Sequence, residues 1–351
     1  MAARLRFDSI DDALEELIER FSDGLPVIPP TEARVAALLD RSTRDPDERL
    51  GEVPPRGATA TVRDVAVNAV LAGCPPRAFP IALAAVEAML DQAFNLNGLQ
   101  ATTHMASPMV VVSGPLAEWA GMNAGVNALG QGNRANLTIG RTLRLVMTNI
   151  GGGYPGAADL SVQGAPSKLS FCFAERADIC SWPSLAERQG APHGATTVTL
   201  LAAEGPHVVS DHRSATPERL LTNVARTMRD PNTLNGCMPS FQAFVATPQH
   251  ARLLDAAGWD VPRVQAFLFE HARNSLDLLR TTGEFDERRT LEAAARYGPV
   301  DDPQTMMPVI AAPENLIVVV AGGDNGGYSA VVPSWTWASA SVHRVIEGVR
   351  L

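Results

Sequence analysis

Residues 109–149, MVVVSGPLAEWAGMNAGVNALGQGNRANLTIGRTLRLVMTN, decide the fold. Met109–Ser113 is a short apolar run rich in β-branched residues, which predicts a buried strand. The glycine-rich passage Gly121–Gly132 follows and interrupts regular structure. From about Asn133 to Asn149 apolar residues recur at helical spacing, and glycines 151–153 end the pattern. The stretch therefore predicts a strand, a glycine-rich loop and a helix, in that order.

The same alternation continues towards the C-terminus. Thr197–Ala202, Phe241–Ala246 and Leu316–Ala321 predict further strands, and Thr-Pro pairs at 216–217 and 247–248 predict helix starts. The chain is therefore expected to be α/β, with mixed or parallel sheets flanked by helices. Weak periodicity near residues 160–195 suggests two lobes, over 1–160 and 196–351, joined by a connecting segment over 161–195. No internal repeat is evident.

The composition indicates a globular protein with an acidic surface. The 351 residues are 46% hydrophobic, and the formal net charge is -9. That charge disfavours nucleic acid and anionic membranes as partners, because both attract basic patches. The most apolar stretch, Ala78–Leu90, is too short to span a bilayer, and the N-terminus lacks the apolar run of a signal peptide. Four scattered cysteines do not form a secreted disulfide framework, so we expect a cytoplasmic protein, which could be a homo-oligomer.

Lysine is almost absent, since Lys168 is the only one among 29 cationic residues. Arginine does not form Schiff bases, so imine chemistry with pyridoxal phosphate would depend on Lys168 alone. The glycine spacing also differs from the dinucleotide fingerprint. We therefore expect neither pyridoxal phosphate nor NAD. If Lys168 is buried, imine chemistry becomes an alternative again. A divalent metal is retained as a possible cofactor.

Cys74 is the first candidate catalytic residue. It lies between Gly73, which suits a helix C-cap, and Pro75-Pro76, which suit a helix start. A thiol at a helix N-terminus has a lowered pKa and forms the nucleophilic thiolate more readily. The alternative is a buried, inert cysteine at a helix corner.

An anion site is predicted where the glycine-rich passage enters its helix. Free backbone amides at a helix N-terminus bind carboxylate or phosphate groups. Gly132, Asn133, Arg134 and Asn136 are the candidate substrate-binding residues there, although the spacing is not that of a P-loop. The alternative is a tight loop packed on the core, with Arg134 in solvent.

Histidines provide the remaining catalytic candidates. His207, Asp211 and His212 follow a predicted strand, and strand ends in α/β folds often carry sites. The three could bind a divalent metal, or His207 could transfer protons. A turn cluster is the alternative. His104, just before the first strand, is a second candidate for proton transfer.

A second glycine loop, Gly322–Ser329 (GGDNGGYS), follows the last apolar run. Such a loop at a strand end can close over a ligand, which makes Gly323 and Tyr328 candidate substrate-binding residues. The alternative is a hairpin turn into the next strand.

Three phrases carry a resemblance to a known family: DGLPVIPPT (Asp23–Thr31), NAVLAGCPP (Asn68–Pro76) and GNRANLTIGRTLRL (Gly132–Leu145). They resemble a largely uncharacterised bacterial family whose members often accompany a small protein with a UGSC or CGSC motif. That companion motif is similar to the selenocysteine sites of amino-acid reductases. The resemblance therefore implies thiol-based cleavage or reduction of a small carboxylated molecule, with a small redox partner that supplies the nucleophile. The GGDNGGYSA segment departs from the GGAGKHSA pattern that the resemblance leads us to expect.

These observations support one leading hypothesis and two alternatives. The leading hypothesis is a thiol-assisted lyase or reductase for a small organic acid, in which Cys74 reacts, the Gly132–Asn136 turn holds the anion, and His104 or His207 moves protons. The first alternative is a metal-dependent hydrolase or hydratase built on His207, Asp211 and His212. The second is a non-catalytic scaffold subunit of a redox complex.

Overall fold

The computed structural model describes residues 5–337 and 339–351, in which helices and strands alternate. The helices are α1 Ile10–Phe21, α2 Glu32–Leu39, α3 Val62–Ala72, α4 Phe79–Met89, α5 Leu96–Ala101, α6 Leu116–Trp119, α7 Arg134–Asn149, α8 Leu185–Arg188, α9 Pro217–Met228, α10 Leu234–Cys237, α11 Pro248–Ala256, α12 Val261–His271, α13 Leu276–Leu279 and α14 Glu287–Ala294. The strands are β1 Arg49–Val53, β2 Ala58–Thr61, β3 Ser107–Ser113, β4 Cys172–Ala174, β5 Thr197–Ala203, β6 His207–Ser210, β7 Gln242–Ala246, β8 Arg273–Ser275, β9 Met306–Pro308, β10 Leu316–Val320, β11 Tyr328–Pro333 and β12 Val342–Val345.

The local signals in the sequence fix most of these elements. The four predicted strands are β3, β5, β7 and β10, and the predicted helix after the glycine-rich passage is α7. Thr216 is the N-cap of α9, where its side chain accepts a hydrogen bond from the backbone N–H of Arg219. Gly73 ends α3 in the left-handed conformation, with φ of 83°. These helix ends follow from the residues next to them in sequence.

Two four-stranded mixed sheets form the centre of the protein, so the predicted α/β class is confirmed. The first has the order β4-β3-β5-β12, with β3 parallel to β4, β5 antiparallel to β3, and β12 antiparallel to β5. The second has the order β10-β7-β11-β6, with β7 parallel to β10, β11 antiparallel to β7, and β6 antiparallel to β11. β1–β2 and β8–β9 are separate two-stranded pairs.

The two sheets repeat one topology that the sequence does not reveal. The first unit runs α4, β3, α7, β4, β5, and the second runs α9, β7, α12, β10, β11. In both units the second helix packs on the first, α7 on α4 and α12 on α9. The edge strands are exchanged, because β6 follows β5 but joins the second sheet, and β12 follows β11 but joins the first. The segment that leaves β5 and the segment that leaves β11 cross where Ala203 pairs antiparallel with Ser334.

This exchange crosses the predicted segment boundaries. β3 lies in residues 1–160, β4 in 161–195, and both β5 and β12 in 196–351, yet all four form one sheet. Each predicted segment therefore supplies strands to the same sheet.

The sheets pack face to face, with helices on their outer faces. Met109 and Val111 of β3 share a buried cluster with Val245 of β7 and Val319 of β10, between the two sheets. Val110 and Val112, which alternate with them along β3, belong instead to a buried cluster with α3, α4 and α7. Alternate residues of a strand point to opposite faces, and both faces are covered, so β3, β5 and β7 are buried along their whole length. The layers are therefore helix, sheet, sheet and helix. No helix within residues 5–337 and 339–351 is long and apolar enough to cross a membrane.

Candidate functional site

A cavity of about 710 Å³ lies beside α7 in the first unit. Its wall is formed by α7, by the turn after α1, and by the connection of residues 150–171 between α7 and β4. α7 contributes Arg144 and Thr148, and the connection contributes Asp159, Ser161 and Lys168. The only lysine of the chain is therefore part of a cavity wall.

Two cations share one carboxylate in this wall. Lys168 Nζ donates hydrogen bonds to Asp159 Oδ1 at 2.7 Å and to Ser161 Oγ at 2.9 Å. Arg144 Nη1 lies 3.7 Å from Asp159 Oδ2. The side chains of Arg144, Lys168 and Asp159 are only 11%, 13% and 9% exposed. Buried charge is costly unless it is paired, and here two positive charges share a single negative one, which leaves one positive charge unbalanced.

The second carboxylate of the wall is already neutralised. Asp23 accepts two hydrogen bonds from Arg141, at 2.9 Å from Nε and 2.7 Å from Nη2. Burial alone would raise the pKa of Asp23, but the hydrogen bond and charge of Arg141 outweigh it and lower that pKa. The cavity wall therefore keeps an excess of positive charge.

Both buried cations also keep hydrogen-bond donors available. Arg144 Nε donates to the backbone oxygen of Lys168 at 2.8 Å. Its terminal nitrogens, Nη1 and Nη2, make no hydrogen bond to any residue that the structure describes. The Lys168 ammonium has three donors, and Asp159 and Ser161 occupy two of them. The unused N–H groups suit a ligand that accepts hydrogen bonds.

Burial also changes the acid–base properties of these cations. Desolvation is the largest influence on Lys168 and lowers its pKa, the charge of Arg144 acts in the same direction, and Asp159 opposes both without reversing the shift. Desolvation likewise lowers the pKa of Arg144. A lysine with a lowered pKa exchanges its proton closer to neutral pH. The Lys168 side chain is also largely buried, which is the condition under which imine chemistry becomes an alternative again.

Cys74 is not placed for thiolate chemistry. It is 3% exposed and lies in the core cluster of the first unit. Burial raises the pKa of its thiol to about 12, which outweighs the opposite effects of Thr138 and Arg134. The residues after it, Pro76–Ala78, form one 3-10 turn, so α4 begins beyond the sulfur's immediate neighbours. The predicted lowering of this pKa is wrong, and the buried alternative describes the residue.

The predicted anion turn is occupied by its own hydrogen bonds. Asn133 Oδ1 accepts from the backbone N–H of Asn136 at 2.9 Å, which caps α7. Asn136 is 1% exposed, and its Nδ2 donates to the backbone oxygens of Asn123 and Ala128. Arg134 Nε donates to the backbone oxygen of Gly73 at 2.8 Å. These side chains hold the glycine-rich passage in place, as the packed-loop alternative expects. Gly132 needs to be glycine because its φ is +108°.

The second glycine loop packs against the first. The backbone N–H of Gly322 donates to Ala124 O at 2.8 Å, and a Cβ on Gly323 would lie 2.6 Å from Val126 Cγ2. Gly323 therefore permits a close approach of two loops. Tyr328 is 62% exposed. The hairpin alternative is wrong, because β7 lies between β10 and β11, and the prediction that Gly323 and Tyr328 bind substrate stays a prediction.

His207, Asp211 and His212 do not form a metal site. The Asp211 carboxylate accepts hydrogen bonds from Ser214 Oγ at 2.6 Å and Asn223 Nδ2 at 2.7 Å, besides two backbone N–H groups. Burial acts to raise its pKa, but these bonds outweigh burial and hold that pKa well below the ordinary range. Within the described parts of the chain, no three His, Cys, Asp or Glu residues could hold a metal ion together. The turn-cluster alternative is the one observed.

The two candidate proton-transfer histidines instead meet at Glu204. His104 Nε2 lies 3.3 Å from Glu204 Oε1, and His207 Nε2 lies 4.0 Å from Glu204 Oε2. His104 Nδ1 accepts a hydrogen bond from the backbone N–H of Ala106, so Nε2 carries the proton towards Glu204. From the sequence, Glu204 is recognisable only as part of a turn. Its position at the end of an apolar strand was the available signal.

No family model, curated protein or solved structure matches this chain. The resemblance to a bacterial family with a small redox partner therefore stays a prediction.

Proposed function

We propose that this protein is an enzyme that binds a small organic acid in the Arg144–Lys168 cavity and uses Lys168 to remove a proton from the acid and return one to it. The observation that supports this most directly is a pair of buried cations that share one carboxylate and retain unused N–H donors. The cavity volume of about 710 Å³ is also in the range typical of small-molecule sites.

Arg144 is the group that holds the acid. A guanidinium presents two parallel N–H groups in a plane, which matches the two oxygens of a carboxylate. Its terminal nitrogens have no hydrogen-bond partner among the described residues, and its side chain is 11% exposed. A charge-assisted hydrogen bond contributes about 1.5–3 kcal/mol to binding. An organic acid would also balance the second positive charge of the wall.

Lys168 is the group that transfers the proton. It forms an ion pair with Asp159 and donates a hydrogen bond to Ser161, and both contacts favour the charged ammonium. Its lowered pKa lets Nζ give this proton to solvent, and the neutral amine then takes a proton from the carbon next to the bound carboxylate. Nζ returns a solvent proton to the same carbon, so the C–H bond that breaks is formed again. Asp159 and Ser161 fix the position of Nζ. Cys74 has no part in this proposal, because its thiol is buried and its pKa is raised.

The test separates binding from proton transfer. Calorimetric titration of acetate, lactate, pyruvate and succinate identifies an acid that binds, and NMR in D₂O follows exchange of the protons next to its carboxylate. Arg144→Gln is expected to weaken binding about 10- to 100-fold. Lys168→Arg keeps the charge but not the proton transfer, so it should bind within a few fold and lose about 10²–10⁴-fold in exchange rate.

Arg134→Gln is the matched control, since it removes the same charge from the same helix at the turn first expected to bind the anion. It should bind and exchange like the unmodified protein. Binding that is lost in Arg134→Gln but kept in Arg144→Gln would overturn the proposal, and so would the absence of binding by every acid tested.

A further inference from the structure

A second cavity, of about 610 Å³, lies in the second unit. It is lined by the end of α9 and the residues after it, by β6, and by the connection of residues 272–315 that follows α12. The first cavity is lined by the connection that follows α7, so each unit has a cavity beside the same connection. This second cavity is not used by the proposed reaction.

Its wall carries three arginines and one carboxylate. Arg226 and Arg229 come from the end of α9, Arg273 comes from β8, and Asp230 is the acidic residue. Asp230 Oδ1 accepts from the backbone N–H of Asn232 at 3.0 Å, and it forms no ion pair with these arginines. Arg273 has an ion pair, to Glu270 at 3.3 Å, but Glu270 lies outside the cavity wall. The wall therefore has more positive than negative charge in a chain whose formal net charge is -9.

Part of this charge has a structural explanation. Arg226 and Arg229 stand at the C-terminal end of α9, and Arg273 Nε donates to the backbone oxygen of Phe269 at the end of α12. Cations stabilise helix C-termini through the helix dipole. That role does not account for Asn274, which is 2% exposed, lines the cavity and has no hydrogen-bond partner for its Nδ2 within the described residues.

We infer that this cavity is a second binding site, which takes a small molecule that carries two negative charges on oxygen atoms. Arg226, Arg229 and Arg273 provide the charge, because guanidinium groups pair well with phosphate and carboxylate oxygens. His207 lines the same wall and provides a further nitrogen that can bond to an oxyanion. A phosphate group and a dicarboxylate share this chemistry, and the experiment distinguishes them.

The experiment titrates the whole chain with inorganic phosphate in one arm and succinate in the other. Binding is followed by calorimetry and by the imidazole NMR signals of His207, which are assigned with His207→Gln. We expect saturable binding of at least one probe, with a shift of the His207 signals. Arg273→Gln should weaken it at least about tenfold, and so should Arg226→Gln, which alters an exposed residue and should leave the fold intact.

Two controls make the result specific. Arg219→Gln removes an exposed arginine from the same helix but outside the cavity, and Arg144→Gln alters only the first cavity. Both should leave the His207 response unchanged. The inference is overturned if neither probe shifts the His207 signals saturably, which would mean that the arginines serve only the helix ends. It is equally overturned if Arg219→Gln weakens binding as much as Arg226→Gln.

Discussion

In the first unit the connection between α7 and β4 contains no α-helix, whereas in the second unit the connection between α12 and β10 contains β8, α13, α14 and β9. The second connection also has a small core of its own, with Leu276, Leu279 and Met307. The glycine- and proline-rich first connection has no comparable core and folds over charged side chains instead. In both units the cavity therefore lies beside the connection that follows the second helix. The residues of that connection determine which side chains line the cavity.

The two cavities differ most in burial. Arg144, Lys168 and Asp159 are at most 13% exposed, whereas Arg226 and Arg229 are exposed side chains. Charge in a buried wall interacts strongly and shifts pKa values, while exposed charge is screened by water. A group that must transfer a proton is therefore better placed in the first cavity, and reversible binding of an anion needs only the second.

The largest expected difference between the two units is in how readily their cysteine thiols are alkylated. Cys74 lies in the core of the first unit, while Cys180 is partly exposed against the core of the second. A pKa raised from 9.0 to about 12 makes the Cys74 thiolate about a thousandfold scarcer at pH 8. Iodoacetamide followed by peptide mass spectrometry should label Cys180 first and leave Cys74 unlabelled until the protein is unfolded. Early labelling of Cys74 would restore it as a candidate nucleophile.

The next effect compares the two acidic residues. Asp159→Asn leaves two buried cations without their carboxylate, so the free energy of unfolding should fall by about 3–5 kcal/mol. Asp230→Asn changes a half-buried residue that has no ion pair among the described residues, and we expect a loss below about 1 kcal/mol. Urea unfolding measures both. If both variants lost the same free energy of unfolding, the difference in burial between the two cavities would have no effect on the strength of their charge interactions.

A smaller effect tests the glycine-rich passage of the first unit. Asn136→Ala removes hydrogen bonds to Asn123 O and Ala128 O and leaves buried groups unpaired. We expect a loss of about 1–3 kcal/mol in stability, with no change in binding at the Arg144–Lys168 cavity. Thermal unfolding and the acid titration check the two parts. Lost binding with unchanged stability would instead support the predicted anion turn.

The smallest effect is a pH dependence in the second unit. His250 is buried, its Nδ1 bonds Ser329 Oγ at 2.6 Å, and desolvation is the largest cause that lowers its pKa below 6.5. The unfolded chain therefore takes up this proton first as pH falls, so the free energy of unfolding decreases below about pH 6.5. Urea unfolding from pH 7.5 to 5 should show this slope, and His250→Gln should remove it. A slope that persists in His250→Gln would assign it to another group.

Part of the site was accessible from the sequence. His104 and His207 are predicted from residue type and position alone, whereas Lys168 stands out in the sequence only as the single lysine and is not predicted as a site residue. Their partners could not be found in this way, since Asp159 and Glu204 are ordinary acidic residues in loops. The residues of the predicted anion turn bond to their own loop instead, and glycines and asparagines that close a loop look the same in sequence as those that bind a ligand.

The sequence by itself determined the local elements: the caps at Thr216 and Gly73, the apolar strands, and the α/β class. These depend on neighbours within one or two turns, so a single chain reveals them. Only the tertiary structure decided that β12 pairs with β5, that Lys168 lies in a cavity and that Cys74 lies in the core. Strand exchange, burial and the pKa shifts that follow from it depend on residues far apart in the chain, and no local pattern encodes them.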